Sequence, residues 1–191
     1  MQPSVFQLRI DLVGAKPPIW RRILIASNAS LYDLHCAIQN AMGWEGYHLH
    51  LFQKGQAYYG VADDEFFGFG DYEEQDEKEH TLEELFMLEG DRLHYEYDFG
   101  DSWEHRIKLE KILPYDPKQQ LPICIKGRNA CPPEDVGGLW GYYSFLDVIS
   151  DPHHPEHSEM IEWVGGAFDP TAFDLEQINM MMAEGCIEFD G

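Results

Sequence analysis

The chain has 191 residues, of which 44% are hydrophobic and 14% aromatic. This composition is sufficient for a packed core, so it excludes a chain that is disordered throughout. A net charge of −22, from 35 acidic and 13 basic side chains, argues against a general affinity for phosphate backbones.

The first predicted element is a β-hairpin. Residues 5–12 alternate strictly between apolar and polar side chains, with Phe6, Leu8 and Ile10 on one face. Such alternation is typical of a half-buried strand. A turn rich in Gly and Pro follows, and residues 19–25 predict the partner strand.

A helix is predicted next. Ser30 and Asp33 form a capping-box pattern, apolar side chains recur at helical spacing over residues 31–42, and Gly43 suits a left-handed C-cap. A third strand over residues 48–53 and a short fourth strand follow.

An acidic stretch follows over residues 62–80. We predict a loop there, because like charges at this density oppose close packing. A short helix and a second hairpin, with strands at 93–99 and 107–112, come next. Beyond Pro114 the prolines predict an irregular connection, followed by a helix over about 142–150 and a last helix that ends near Met182.

This order predicts an α+β fold in which a helix packs across one face of a mixed β-sheet. The order β-β-α-β-β-α-β-β resembles the β-grasp arrangement, with an irregular and partly helical C-terminal extension. We expect a single domain over residues 1–191, with a core at 5–113 and the extension, 114–191, packed on it.

The charge is distributed unevenly along the chain. Residues 1–60 carry five basic and three acidic side chains, whereas residues 61–90 carry twelve acidic side chains and Lys78 alone. Thirteen acidic residues and no Lys or Arg follow Arg128. We therefore expect a protein partner rather than nucleic acid, which would have to use the small basic patch near the N-terminus.

The N-terminus and the cysteines favour a cytoplasmic location. No basic segment leads into an apolar run, so no signal peptide is predicted, and no stretch approaches the roughly 18 apolar residues of a membrane span. Cys36, Cys124, Cys131 and Cys186 form no Cys-x-x-Cys pair. Their sparse spacing predicts reduced thiols rather than a disulfide framework.

Four groups of motifs resemble one known family. They are Pro-Ile-Trp-Arg-Arg-Ile from Pro18, Met-Gly-Trp with His-Leu-His-x-Phe from Met42, Tyr-Asp-Phe-Gly-Asp-x-Trp-x-His from Tyr97, and Ala-Cys-Pro-Pro-Glu-Asp-x-Gly-Gly from Ala130. On these motifs the chain resembles the plasmid pRiA4b ORF-3-like protein family over roughly residues 5–180. The resemblance implies a compact α+β domain without an established activity, and Val136 stands where family members often have cysteine.

The turn of the second hairpin has two interpretations. Asp98 or Asp101 can accept hydrogen bonds from nearby backbone amides, while Phe99 and Trp103 pack across the strand ends. Alternatively, Asp98, Asp101 and His105 form a carboxylate–imidazole cluster suited to a metal ion or to acid–base chemistry. The structural interpretation is favoured, because hairpin turns use these residue types routinely.

Two further motifs are candidate metal ligands. His48 and His50 are two residues apart in a predicted strand, so both imidazoles would point to one face and reach one ion. A catalytic zinc needs a third protein ligand, for which His105, Asp101 or Glu134 is available. Glu134 and the adjacent Asp135 lie between rigid prolines and permissive glycines, where they bind a cation or cap the following helix.

These features support two hypotheses for function. The favoured one is a non-catalytic binding or protein-interaction module, because the strands are rich in aromatic residues and no complete catalytic set is visible. The alternative is a metal-dependent enzyme, such as a hydrolase, that uses a divalent metal. The candidate binding residues are Asp98, Asp101, Trp103, Glu134 and Asp135, and the candidate metal ligands are His48, His50 and His105.

Overall fold

The fold was obtained as a computed structural model that describes residues 3–61 and 74–186. In chain order its elements are β1 (Val5–Leu12), β2 (Trp20–Ala26), α1 (Leu31–Met42), β3 (His50–Lys54), β4 (Ala57–Gly60), β5 (Glu74–Asp76), α2 (Leu82–Leu85), β6 (Arg92–Tyr97), β7 (Trp103–Leu113), β8 (Ile123–Arg128), α3 (Gly138–Ser150), α4 (His157–Trp163) and α5 (Leu175–Glu184). The strands form one eight-stranded sheet in the order β5-β4-β3-β6-β7-β1-β2-β8. The β4–β5 pair is parallel and every other pair is antiparallel, which confirms the predicted mixed sheet.

Strand β1 lies inside the sheet and pairs with both β2 and β7. Its alternate residues Leu8 and Ile10 are fully buried, whereas Arg9 between them is only half-buried. One face of the sheet, here called the core face, therefore carries the apolar side chains, as the strict alternation predicts. The opposite face is here called the open face.

Helix α1 covers the core face, which confirms the predicted crossing helix. The backbone N–H of Asp33 donates to Ser30 Oγ at 3.0 Å, and Asp33 accepts the N–H of Ser30 at 2.8 Å, so the capping box is complete. Gly43 ends the helix with φ 85°, a left-handed conformation that glycine adopts without a Cβ clash.

Strand β8 was missed by the sequence analysis, which predicted an irregular connection there. It pairs with β2 and forms one edge of the sheet. Pro122 lies immediately before it, a position that is compatible with an edge strand because the missing N–H is not needed for pairing. Of the predicted acidic loop, residues 74–76 form β5, and residues 62–73 lie outside the described part of the chain.

Helix α5 contacts both α1 and the edge strand β8. Asn179 of α5 accepts the backbone N–H of Cys124 at 2.8 Å and donates to its carbonyl at 2.9 Å. Asp174 caps α5 by accepting the N–H of Gln177 at 3.0 Å. Within the described residues, no helix is both long and apolar enough to cross a membrane.

A disulfide joins Cys36 of α1 to Cys186, beyond the end of α5. The prediction of reduced thiols was wrong for these two residues. It relied on local spacing, which cannot detect a pair that is 150 residues apart in the sequence. Cys124 and Cys131 remain free and are buried.

We predict that reduction of the Cys36–Cys186 bond lowers the free energy of unfolding by about 2–5 kcal/mol, because the bond closes a long loop in the unfolded chain. Urea unfolding with and without dithiothreitol measures the change. The Cys36→Ser variant should show the same loss and no further response to dithiothreitol. A wild-type protein that is indifferent to reductant would contradict the prediction.

Candidate metal centre

Three loops meet at one end of the core face. His48 lies between α1 and β3, Asp98 directly follows β6, and Asp135 lies just before α3. One ligand atom from each of these residues lies within 4.8 Å of the other two. We call this group the His48 cluster; it unites three of the eight residues that the sequence analysis named.

Asp98 serves both the turn and the cluster. Its backbone is left-handed, with φ 57°, a conformation that a short polar side chain tolerates. Oδ1 accepts the backbone N–H groups of Gly100 at 2.9 Å and Asp101 at 3.3 Å, as the structural interpretation of this motif predicted. Oδ2 lies 3.5 Å from His48 Nε2, so the imidazole beside Asp98 is that of His48 and not the predicted one of His105.

Asp135 reaches the cluster from the loop before α3. It also has a left-handed backbone, with φ 57°, and its side chain is 59% exposed. Oδ1 lies 3.1 Å from His48 Nε2, and Oδ2 accepts the hydroxyl hydrogen of Tyr47 at 2.8 Å. This hydrogen bond and burial raise the pKa of Tyr47, so Tyr47 remains a protonated donor at neutral pH.

Glu134 and Asp101 hold the loop in place and do not join the cluster. Glu134 accepts the Tyr97 hydroxyl at 2.5 Å and the backbone N–H of Glu45 at 3.0 Å. Asp101 Oδ2 accepts the N–H of Gly137 at 3.1 Å, at the start of α3. These contacts link the loop to β6, to the segment after α1, and to the β6–β7 turn, so the position of Asp135 is set from three directions.

His48 Nε2 is the central atom of the cluster. It is buried and lies near two carboxylate oxygens, yet within the described residues it makes no hydrogen bond of acceptable geometry. A buried polar atom without a partner calls for a water molecule or an ion. Two ligand atoms that each bind an ion at about 2.1 Å are about 3.0 Å apart at an octahedral angle and about 3.4 Å apart at a tetrahedral angle. The two separations measured from His48 Nε2, 3.1 and 3.5 Å, match these distances, and the two carboxylate oxygens lie within 4.8 Å of each other.

His50 does not join the cluster. Strand β3 begins at His50, so His48 lies outside the strand, although both residues line one cavity. His50 Nε2 is 2.8 Å from Glu77, and its ring stacks on that of His35 with centroids 3.6 Å apart. Both His50 and Glu77 are buried.

Trp103 and His105 belong to the core. Trp103 packs against Trp44, with ring centroids 5.8 Å apart, and is buried. His105 is 0% exposed and lies 5.4 Å from the ring centroids of both Trp44 and Tyr95. Their positions follow from the alternation of β7, which directs them to the core face together with Ile107.

A cavity of about 360 Å³ opens beside the His48 cluster. Some of its polar lining residues come from α1 and from the segment before α2. The sequence analysis did not name them, because no motif marks them as site residues. Gln39 is one of them: its Oε1 is buried and without a hydrogen bond to any described residue. The polar and charged side chains around the cavity include those of His35, Gln39, His48, His50 and Lys78.

We predict that His105 makes stability sensitive to acid. Burial lowers the pKa of His105 to about 3, so the folded protein keeps it neutral at a pH where the unfolded chain is protonated. Since the unfolded state then binds more protons, the free energy of unfolding falls between about pH 7 and about pH 5. Over this pH interval the free energy of unfolding of the His105→Leu variant should fall by about 2 kcal/mol less than that of the wild type. Urea unfolding at both pH values measures the difference.

The control for this prediction is His94→Leu, because His94 is half-buried on the open face. The His94→Leu variant should lose as much free energy of unfolding between the two pH values as the wild type. If His105→Leu and the wild type lose equal stability between the two pH values, His105 does not carry the effect.

Comparison with known proteins identifies relatives over nearly the whole chain. A family model described as plasmid pRiA4b ORF-3-like protein matches residues 4–177. An uncharacterised protein of Sinorhizobium fredii is 35% identical over 180 residues, which cover 94% of this chain and 91% of that protein. A crystal structure of a protein of unknown function from Methanosarcina mazei has 38% sequence identity and a TM-score of 0.84, and the match covers 93% of this chain and 97% of that one.

Proposed function

Because this chain belongs to the plasmid pRiA4b ORF-3-like family, and its matched relatives are described only as uncharacterised or of unknown function, we propose a function from its own geometry. We infer that it is a non-catalytic binding module that holds a divalent cation at the His48 cluster. The observation that carries this proposal is the buried His48 Nε2, which faces Asp98 and Asp135 at ligand-to-ligand distances.

The ligand types indicate which ions suit the cluster. One imidazole nitrogen and two carboxylate oxygens form a mixed set of ligands. Such a set suits Mn²⁺ or Zn²⁺, whereas Ca²⁺ prefers ligands that are all oxygen atoms. The two negative charges of the carboxylates also balance the charge of a divalent cation. The hydroxyl of Tyr47 orients Asp135 from outside the shell, as an outer partner of a metal ligand does.

Exposed aromatic side chains near the cluster support a protein partner. Tyr47 precedes His48, Phe99 follows Asp98, and both rings are about half exposed. Trp140 is 84% exposed in the first turn of α3, close to the Gly137 amide that Asp101 holds. Large aromatic side chains at a surface are the residues that most often dominate protein–protein binding.

The second candidate function is a metal-dependent hydrolase. Three protein ligands leave coordination positions open for water, and the adjacent cavity offers space for a small substrate. Metal-dependent turnover of ester or phosphoester substrates would favour this candidate over the binding module. Metal binding without turnover would favour the binding module.

We predict that the chelator-treated protein binds one Mn²⁺ or Zn²⁺ ion per chain in isothermal titration calorimetry. His48→Ala and Asp98→Asn should each weaken binding at least about ten-fold, because each removes one of three ligands. Asp98→Asn keeps a carbonyl oxygen that can accept the Gly100 N–H, so the turn should persist while the charge is lost.

The matched control is His94→Ala, which removes a histidine that lies 3.8 Å from Glu104 and outside the cluster. It should bind the ion with wild-type affinity. Absence of saturable binding in the wild type, or equal binding by His48→Ala and the wild type, would contradict the proposed cation site.

A further inference from the structure

The open face of the sheet carries a row of basic side chains that crosses five neighbouring strands. In the strand registers Arg92 pairs with Lys108, Lys108 with Arg9, Arg9 with Arg22, and Arg22 with Lys126. Adjacent strands are about 4.8 Å apart, so this basic row is about 19 Å long and runs perpendicular to the strands.

The basic row is part of a wider separation of charge. The strands β1, β2, β6, β7 and β8 direct eight of the 13 Lys and Arg residues to the open face, but only four of the 35 acidic residues. The basic residues are Arg9, Arg22, Arg92, Arg106, Lys108, Lys111, Lys126 and Arg128, and the acidic ones are Asp11, Glu96, Glu104 and Glu110. A protein with a net charge of −22 thus has one face with a basic excess.

Three members of the basic row are available to a ligand. Arg9 and Arg22 form ion pairs with Asp11 and Glu110. In the described part of the chain, Arg92, Lys108 and Lys126 have no carboxylate within 4.0 Å, and Arg92 and Lys126 are exposed. Unpaired cations on one face are the groups that exchange counterions for phosphates.

A second row, two residues further along the strands, contains aromatic side chains. From β4 to β2 this aromatic row consists of Tyr58, Gln53, His94, Arg106, Asp11 and Trp20, so three of these six side chains are aromatic. Two residues of a strand span about 6.7 Å, so the aromatic row runs parallel to the basic row at that distance. The guanidinium of Arg9 lies 4.3 Å from the Trp20 ring and bridges the two rows.

We propose that the open face binds single-stranded nucleic acid. The phosphates follow the basic row, and the bases lie over the aromatic row, where they stack on rings or on guanidinium planes. A nucleic-acid strand that runs along the basic row passes one cation on each of the five β-strands. Helix α1 lies on the other side of the sheet, since the core-face side chain of Arg21 donates to the Ala41 carbonyl of α1.

The acidic remainder of the protein does not prevent this interaction at physiological salt. Charges separated by more than about 8 Å are then largely screened. In the C-terminal segment, which has no Lys or Arg after Arg128, Phe173 packs on the core face, 5.1 Å from the Arg21 guanidinium. A ligand on the open face therefore senses mainly the local basic excess.

The test is fluorescence anisotropy with labelled oligothymidine and oligouridine of about 12 nucleotides, at NaCl concentrations from about 50 to about 200 mM. We expect saturable binding, and a slope of log affinity against log salt near about −2.1 if each of the three unpaired cations contacts one phosphate. The triple variant Arg92→Gln/Lys108→Gln/Lys126→Gln should bind at least about ten-fold more weakly, with a slope near zero. Trp20→Leu should weaken binding about five-fold or more.

The matched control is Lys16→Gln/Lys78→Gln/Lys118→Gln, which makes the same change in net charge at exposed lysines outside the open face. It should bind within two-fold of the wild type, and thermal unfolding should show that both triple variants are folded. The proposal is overturned if the wild type binds neither oligonucleotide, or if both triple variants lose affinity equally. Equal binding of a duplex, or displacement of the oligonucleotide by polyglutamate at equal charge concentration, would also overturn it.

Discussion

Strand β1 is hydrogen-bonded along both edges, to β2 on one side and to β7 on the other, and this double pairing fixes the registers of the central sheet. A slip of one residue in either pairing would exchange the two faces of a strand. It would expose Leu8 and Ile10 and bury Arg9. The cost of such an exchange is large, so the alternation of β1 determines which side chains of its neighbours reach the helices and which remain on the open face.

The His48 cluster depends on this register although none of its members lies in a helix or strand. The β6–β7 turn presents Asp98 at the end of the sheet where Trp44 and the loop before α3 also arrive. The Trp44 indole N–H donates to the Pro132 carbonyl at 2.9 Å, and Tyr97 donates to Glu134. Buried polar contacts of this kind are costly to break, so a loop without regular structure can hold Asp135 in a defined position.

Local patterns were sufficient to predict part of the fold and part of the candidate site. The two hairpins and α1 depend on alternation and on caps such as Ser30, all of which are visible in short windows. β8 and the Cys36–Cys186 bond depend on partners distant in the sequence, so no local pattern indicates them. His48, Asp98 and Asp135 were named among the candidates, but their convergence requires the docking of the loop before α3, which sequence spacing does not encode.

Charge totals of sequence segments do not indicate on which face of the fold the charged side chains lie. The summed charge of residues 1–60 is slightly positive, and that of residues 91–128 is zero. The sheet interleaves strands from these two segments, and the pleat places their basic residues on one side. Lys108 and Arg9 are neighbours in the fold although 99 positions separate them in the sequence.

Among the described residues, this separation of charge contributes an electric dipole moment whose positive end lies at the open face. In the field of a charged surface such a molecule experiences a torque before any contact forms. Its orientation on approach is therefore biased even where its net charge would only repel. The isoelectric point of about 4.5 describes the whole chain, whereas the first encounter with another polyelectrolyte is governed by the face that turns towards it.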